Sequence, residues 1–347
     1  MRVGITTVQV PFVRGGAELH AEGLRAALVA AGHEAEIISV PFKWYPPEAL
    51  GAQILACRLL DIEESSGMRI DRVVGLKFPG YLIPHPNKVL WILHQHRSAY
   101  DLWENHYGDL YGVPYGAEAR EIVRGADRKL IPEARAVYAN SRNVAERLRR
   151  FSGLEATPLY HPPPDAEAYH CGEAGDFFVM PSRINEPKRQ DLVIEALFRT
   201  RNPVRVCFTG AADDLPFFEK TRLRAAALPG DRVAWLGAVP AARKVELLAG
   251  CLGVIYPPFD EDYGYVTLEA MLSSKPVVTC ADSGGPLEFV EDGETGFVVA
   301  PEPGALAEAL DRLWEDRARA ARFGRAGRAR YDAMGIAWDK VVECLLA

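Results

Sequence analysis

Short apolar runs alternate along the chain with longer segments in which apolar residues return every three or four positions. The first rhythm is that of buried strands and the second that of amphipathic helices. Arg2–Val8 reads as the opening strand. After the loop Gln9–Gly16, Leu24, Ala27, Leu28 and Ala31 mark a helix that Gly32 closes. Glu34–Val40 is a second strand, and the aromatic, proline-rich stretch from Pro41 runs into an apolar helix ending near Asp61. Strands Asp71–Gly75 and Lys88–Leu93 follow, then helices over Ser98–Tyr107 and Gly116–Lys129. Strand Ala136–Asn140, helix Arg142–Phe151 and strand Ala156–Tyr160 complete the first half.

The stretch His161–Gly175 interrupts this rhythm. Pro162, Pro163 and Pro164 continue neither strand nor helix, and the small polar residues after them add little to a core. Residues 162–175 therefore read as a linker. The alternation then resumes with strands at Asp176–Pro181, Val204–Thr209, Arg232–Leu236, Leu252–Tyr256 and Pro276–Cys280. Helices are expected at about Lys188–Thr200, Leu215–Ala227 and Ala241–Gly250, and from Gly304 to the end with a break near Met334–Gly335. This order predicts an α/β protein of two doubly wound Rossmann-like domains, residues 1–161 and 176–335, with parallel sheets facing an interdomain cleft.

Polar residues gather where strands end and helices begin, the edge at which open α/β sheets take ligands. They are densest in Cys251–Val299. Pro257 and Pro258 stop a strand; Asp260, Glu261, Asp262, Tyr263 and Gly264 precede a helix running from Tyr265 to about Ser273; Gly284–Gly285 opens a short helix with Glu288. Glu261 lies before its helix and Glu269 more than one turn inside, so the two carboxylates point to different places. That suits one elongated polar ligand held at two sites better than two acids closing on one bond. A carboxylate accepts both protons of a ribose diol without a shifted pKa, and the N–H groups of Tyr265 and Val266 at the helix start favour an anion. The pattern fits a sugar joined to a nucleoside through a diphosphate.

A second clue is the loop Pro181–Lys188. Asn185 can cap the next helix and Pro187 suits its first turn, which sets Lys188 and Arg189 at a positive helix end. Cations there cost roughly 0.3–1 kcal/mol each unless an anion reverses the sign. Arg183 follows a strand end directly, so Arg183 and Lys188 are the expected phosphate ligands, the alternative being side chains that swing into solvent. Gly15–Gly16 opens the first helix, where backbone can approach the same anion. His94 and His96 alternate at a strand end and point to opposite sides. A structural role is open for either, and His94 is assigned to the donor sugar. Asp260-x-Asp262 matches a metal-binding pattern, but Glu261 between them belongs to the carboxylate pair, so no metal is assigned.

Composition narrows the classes. With 48% hydrophobic and 25% charged residues in 347, two domains with ample cores are expected. The net charge is −7, and the acidity lies in the second half, which argues against a nucleic-acid partner. There is no 18-residue apolar run, Met1–Gly16 lacks the order of a signal peptide, and the six scattered cysteines show neither C-x-x-C nor metal spacing. A cytoplasmic chain is the expectation. The basic edge Arg147, Arg149, Arg150 beside Phe151 is either a solvated helix end or a peripheral contact with anionic lipid on the inner face of the membrane.

The motifs together resemble glycosyltransferase family 4, retaining enzymes of the GT-B fold. They are GGAE (Gly15–Glu18), SRINEPK (Ser182–Lys188), LGAV (Leu236–Val239), EDYGYVTLEAM (Glu261–Met271), PVV (Pro276–Val278), GGPLE (Gly284–Glu288) and DGETGFVV (Asp292–Val299). The resemblance implies that Glu269 binds the ribose and Glu261 the donor sugar's hydroxyls. It also implies that Arg183, Lys188, Gly16 and the backbone of Tyr263, Gly264, Tyr265 and Val266 hold the diphosphate, with the base near Gly237–Val239. The last helix, 336–347, would join the first domain. Ser182 and Ser274 stand where the family usually has glycine, and Pro258 where serine is common; the first half matches no particular acceptor class.

The resulting expectation is a metal-independent hexosyltransferase. It would move a sugar from a nucleoside-diphosphate sugar, its substrate rather than a cofactor, to a glycan or lipid-linked acceptor, as in polysaccharide biosynthesis. Two rivals stay open: a sugar-nucleotide epimerase on the same fold, and a binding module without catalysis. A glycoside hydrolase needs carboxylates flanking one bond, and a nicotinamide dehydrogenase needs a G-x-G-x-x-G after the first strand, which is absent.

Overall fold

The computed structural model describes all 347 residues, which separate into two units. One is Met1–Pro164 with Ala337–Ala347, and the other is Asp165–Ile336. Residues 165–175 were expected to be linker but belong to the C-terminal unit. The Gly172 and Gly175 N–H groups donate to the carbonyls of Ala249 and Gly250 at 3.0 and 2.8 Å, and Tyr169 is buried. Low apolar content did not reveal these backbone ties.

The N-terminal unit contains β1 (Arg2–Gln9), α1 (Gly16–Ala30), β2 (Glu34–Pro41), α2 (Ala49–Arg58), the short strands β3 (Glu64–Ser65) and β4 (Met68–Arg69), and β5 (Arg72–Lys77). It continues with β6 (Lys88–His94), α3 (Gly116–Leu130), β7 (Val137–Ala139), α4 (Arg142–Ser152) and β8 (Thr157–Pro158). Six of these strands form a parallel sheet in the order β2-β1-β5-β6-β7-β8. The central strands are buried on both faces, as their apolar runs require. The expected helix over Ser98–Tyr107 is absent. A single 3-10 turn at Arg97–Ala99 gives way to turns in which Glu104 adopts a left-handed φ of 64° and the Asn105 side chain accepts from the Tyr107 N–H. A left-handed residue cannot propagate an α-helix.

The C-terminal unit contains β9 (Phe178–Pro181), α5 (Gln190–Leu197), β10 (Val206–Thr209), α6 (Leu215–Ala225), β11 (Val233–Trp235), α7 (Ala241–Gly250) and β12 (Gly253–Ile255). Then follow α8 (Tyr265–Leu272), β13 (Val277–Cys280), β14 (Gly296–Val299), α9 (Pro303–Glu315) and α10 (Arg317–Met334). Its sheet is also parallel, in the order β11-β10-β9-β12-β13-β14. β14 was not anticipated as a strand; it lies at the edge of the sheet and opens on Gly296. Helix α8 is buried from Thr267 to Leu272, a stretch that is apolar apart from Thr267 and Glu269. After α10 the chain passes Gly335 (φ 58°) and ends in α11 (Trp338–Leu346), which packs on α1. The buried Arg72 guanidinium caps α11, donating to the carbonyls of Leu345, Leu346 and Ala347 at 2.8, 3.2 and 3.1 Å. No helix is long and apolar enough to cross a membrane.

Candidate active site in the C-terminal unit

In the C-terminal sheet the chain leaves β9 toward β10 on one side and later returns to β12 on the other. This reversal opens a crevice at the carboxyl ends of β9 and β12, the place where doubly wound sheets bind ligands. Tyr256 follows β12 directly and Arg183 follows β9 by two residues. Lys188 sits in the 3-10 turn Glu186–Lys188; its ammonium donates to the Tyr256 hydroxyl at 3.3 Å and ion-pairs with Glu261. Burial first, then the Glu261 and Glu269 charges, push the Tyr256 phenol well above its ordinary pKa, while Arg183 pulls it down. Lys188 and Glu261 thus meet beside this phenol, while Arg183 and Glu269 act on it through their charges and pair with Asp213 and Lys244.

The local fold explains the convergence. The loops after β12 and β13 zip together: the Asp260 and Glu261 N–H groups donate to the carbonyls of Asp282 and Ser283, each at 2.9 Å, and the Gly285 N–H donates to the Glu261 carbonyl at 2.7 Å. Gly264 then turns the chain into α8 with φ 86°, and a Cβ there would lie 3.1 Å from Pro286 and 3.2 Å from Tyr256. Only glycine meets both demands. Tyr263 is buried against Phe289, and Tyr265 and Val266 form the first turn of α8, so their N–H groups lie at its positive end.

The expected capping by Asn185 does not occur. The helix starts at Gln190 rather than Lys188, because Arg189 adopts a left-handed φ of 60°. Both Nη atoms of Arg189 donate to the Asp282 carboxylate at 2.7 Å. Arg183 is half-exposed and pairs with Asp213 at 2.7 Å.

Glu269 is nearly sealed, its side chain 3% exposed, and its Oε1 accepts from Lys244 of α7 at 2.6 Å. Burial, followed by the Glu269 charge, raises the pKa of the neighbouring Tyr169 phenol and of Tyr265. The loop before α7 holds Val239, half-buried, after Gly237 (φ 63°). One helix thus joins the Gly237–Val239 loop to the carboxylate. Tyr256, Lys244, Tyr169 and Asp213 were missed by sequence reasoning. Tyr256, as the last residue of a strand at the sheet's reversal, was the one with a readable signal.

In the N-terminal unit, Gly15 precedes α1 in extended conformation (φ −155°), and its N–H donates to the Glu18 carboxylate at 2.7 Å rather than standing open. Gly16 is the first residue of α1. His94 ends β6 half-buried, its Nδ1 2.7 Å from the Gln95 carbonyl, whereas His96 is buried edge-on against Phe78. Of the two histidines, His96 is therefore the core one. The basic edge is largely neutralised: Arg147 turns inward to Asp101 at 3.9 Å and Arg149 pairs with Glu146 at 2.6 Å.

Residues 169–330 match the family model described as glycosyl transferases group 1. The human α-1,3/1,6-mannosyltransferase ALG2 is 39% identical over 101 residues, 29% of this chain and 24% of the human protein, so the match spans about a quarter of that relative's length. Among solved structures, sucrose-phosphate synthase from Thermosynechococcus elongatus superposes with a TM-score of 0.78 at 19% identity, covering 98% of this chain and 96% of the other. Anabaena HepE in complex with UDP-glucose gives 0.74 at 18% identity, covering 100% and 98%. The chain therefore has the GT-B architecture of two parallel-sheet Rossmann-like α/β domains, and its C-terminal unit carries the group 1 glycosyl transferase signature.

Proposed function

We propose that the protein is a retaining glycosyltransferase that moves a hexosyl group from a nucleoside-diphosphate sugar to a hydroxyl of a glycan or lipid-linked glycan, without a metal. The observation that carries the reading is the Lys188–Tyr256–Glu261 cluster at the β9/β12 reversal, with Glu269 buried one turn into the adjoining helix. The Arg183–Asp213 pair is exposed on both sides and worth at most about 1 kcal/mol, so a diphosphate displaces Asp213 readily. Lys188 likewise turns from Glu261 to phosphate, and Glu261 is released to accept hydroxyl protons from the sugar. Glu269 accepts from Lys244 on Oε1 and from the Tyr169 hydroxyl, and the remaining lone pairs of the carboxylate would take the ribose diol.

In the reaction the bond from the anomeric carbon to the diphosphate breaks and the acceptor oxygen bonds to that carbon from the same face. The departing phosphate oxygen takes the acceptor's proton. Arg183, Lys188 and the start of α8 stabilise the charge that develops on the leaving group. The HepE complex with UDP-glucose and the mannosyltransferase name of the human relative favour this donor class.

A thermal-shift screen of UDP-, GDP-, ADP- and dTDP-sugars tests the reading, because a ligand of the folded form raises apparent stability. Glu269→Ala should weaken donor binding, Arg183→Ala should also lower turnover, and EDTA should leave turnover unchanged. Donor affinity equal to wild type in both variants would sink the assignment. An altered sugar still attached to its nucleotide, formed without acceptor, would move it to the epimerase class.

A further inference from the structure

The amino edge of the same sheet, opposite the site above, holds a second set of cations. A cavity of about 350 Å³ opens where Leu252 leads into β12 and Pro276 into β13, and Lys275, Arg317 and Arg325 line it without any carboxylate. Lys275 is 4% exposed, yet its ammonium has one partner, the Gly172 carbonyl at 3.0 Å, and no ion pair. An ammonium carries three donors, and burying its charge without a counter-charge is costly. The other buried lysine, Lys88, has the Glu133 carboxylate at 3.5 Å.

The remaining cations come from one face of α10. Arg317, Ala320, Ala321 and Arg325 recur at helical spacing along it. Gly324 lets this face press on the backbone of Ser274, whose carbonyl would lie 1.9 Å from a Cβ at that position. Arg317 donates to the Asp176 carboxylate at 2.5 Å and to the Gly175 carbonyl at 3.3 Å, and Arg325 is exposed and makes no hydrogen bond or ion pair. The missing counter-charge therefore has a place to sit, between a buried ammonium and two guanidinium groups, with Leu252, Pro276 and the two alanines as an apolar wall.

We propose that this cavity binds a phosphate monoester, its phosphate on Lys275, Arg317 and Arg325 and its carbon skeleton on the apolar wall. The site does not depend on the glycosyl-transfer reading. Isothermal titration at constant ionic strength, with inorganic phosphate, glycerol 3-phosphate and a chloride control, tests it. Saturable binding of glycerol 3-phosphate, tighter than inorganic phosphate, is expected in wild type and in an Arg183→Ala, Lys188→Ala double variant. Arg325→Glu, an exposed change that leaves the fold alone, should weaken it at least about tenfold, the loss of one charge-assisted bond. Lys275→Met should abolish it. Binding unchanged in both Arg325→Glu and Lys275→Met, or lost in the Arg183, Lys188 double variant, overturns the site. Equal affinity for the ester and for inorganic phosphate overturns the role of the apolar wall.

Discussion

Replacing Lys244 by Met strips a nearly sealed carboxylate of its counter-charge. The Glu269 side chain is 3% exposed and that of Lys244 28%, with 2.6 Å between the charged atoms. Removing one partner of a fully buried pair costs about 3–5 kcal/mol, whereas exposed pairs are worth about 0.2–1 kcal/mol. Because the lysine reaches water for about a quarter of its surface, Lys244→Met should destabilise the C-terminal unit by about 2–3 kcal/mol. Glu269→Gln should cost less, about 1 kcal/mol, since the amide still accepts from Lys244 and the lysine can turn to solvent. In the double variant no charge is left buried, so the two costs should fall short of additivity by about 1–2 kcal/mol. Urea unfolding of the four proteins, followed by the fluorescence of Trp235 and Trp314 in that unit, measures the cycle. The same proteins can be titrated with a nucleoside diphosphate and its 2′,3′-dideoxy analogue. Wild type should prefer the diol about tenfold or more, and Glu269→Gln should lose most of that preference. Additivity within about 0.5 kcal/mol, or an undiminished diol preference in Glu269→Gln, would refute the reasoning.

Three further outcomes follow from the geometry. Burial lowers the His20 imidazole from 6.5 to about 3 and holds His161 well below its usual value, the two rings meeting at 2.9 Å beside Trp91 and Trp338. A depressed folded pKa gives stability that is present above pH 6.5 and lost as pH falls, so His20 alone should cost the N-terminal unit about 2 kcal/mol between pH 7 and 5. Unfolding read by the fluorescence of those two tryptophans checks this, and a folded-state NMR titration of His20 near pH 6.5 would contradict it. Ser274 holds a left-handed φ of 52°, so Ser274→Gly should stabilise by about 0.5–1 kcal/mol in thermal unfolding once the added freedom of the unfolded chain is allowed for. An unchanged midpoint would show that the strain is relieved locally. Gly264→Ala, which combines φ 86° with close contacts to Pro286 and Tyr256, should lower the midpoint and weaken donor binding together. Loss of stability with full donor affinity would separate the turn from the site.

The α/β class and the two parallel sheets were legible in the sequence, because hydrophobic period is a local property of the chain, and strand-end chemistry singled out Arg183, Lys188, Glu261 and Glu269 as candidates. β14, an edge strand opened by Gly296, went unread, and Ser98–Tyr107 looks helical until Glu104 takes a left-handed turn. Composition reads 165–175 as linker because what holds that segment is backbone hydrogen bonding to α7, from Gly172 and Gly175 to the carbonyls of Ala249 and Gly250. The pairings became visible in three dimensions alone: Arg189 holds Asp282 while Lys188 holds Glu261, Lys244 reaches Glu269 from 25 residues away, and Lys275 is buried without a counter-charge. Those pairings depend on which strand ends lie side by side in the sheet, and strand order is set by long-range packing that local patterns do not encode.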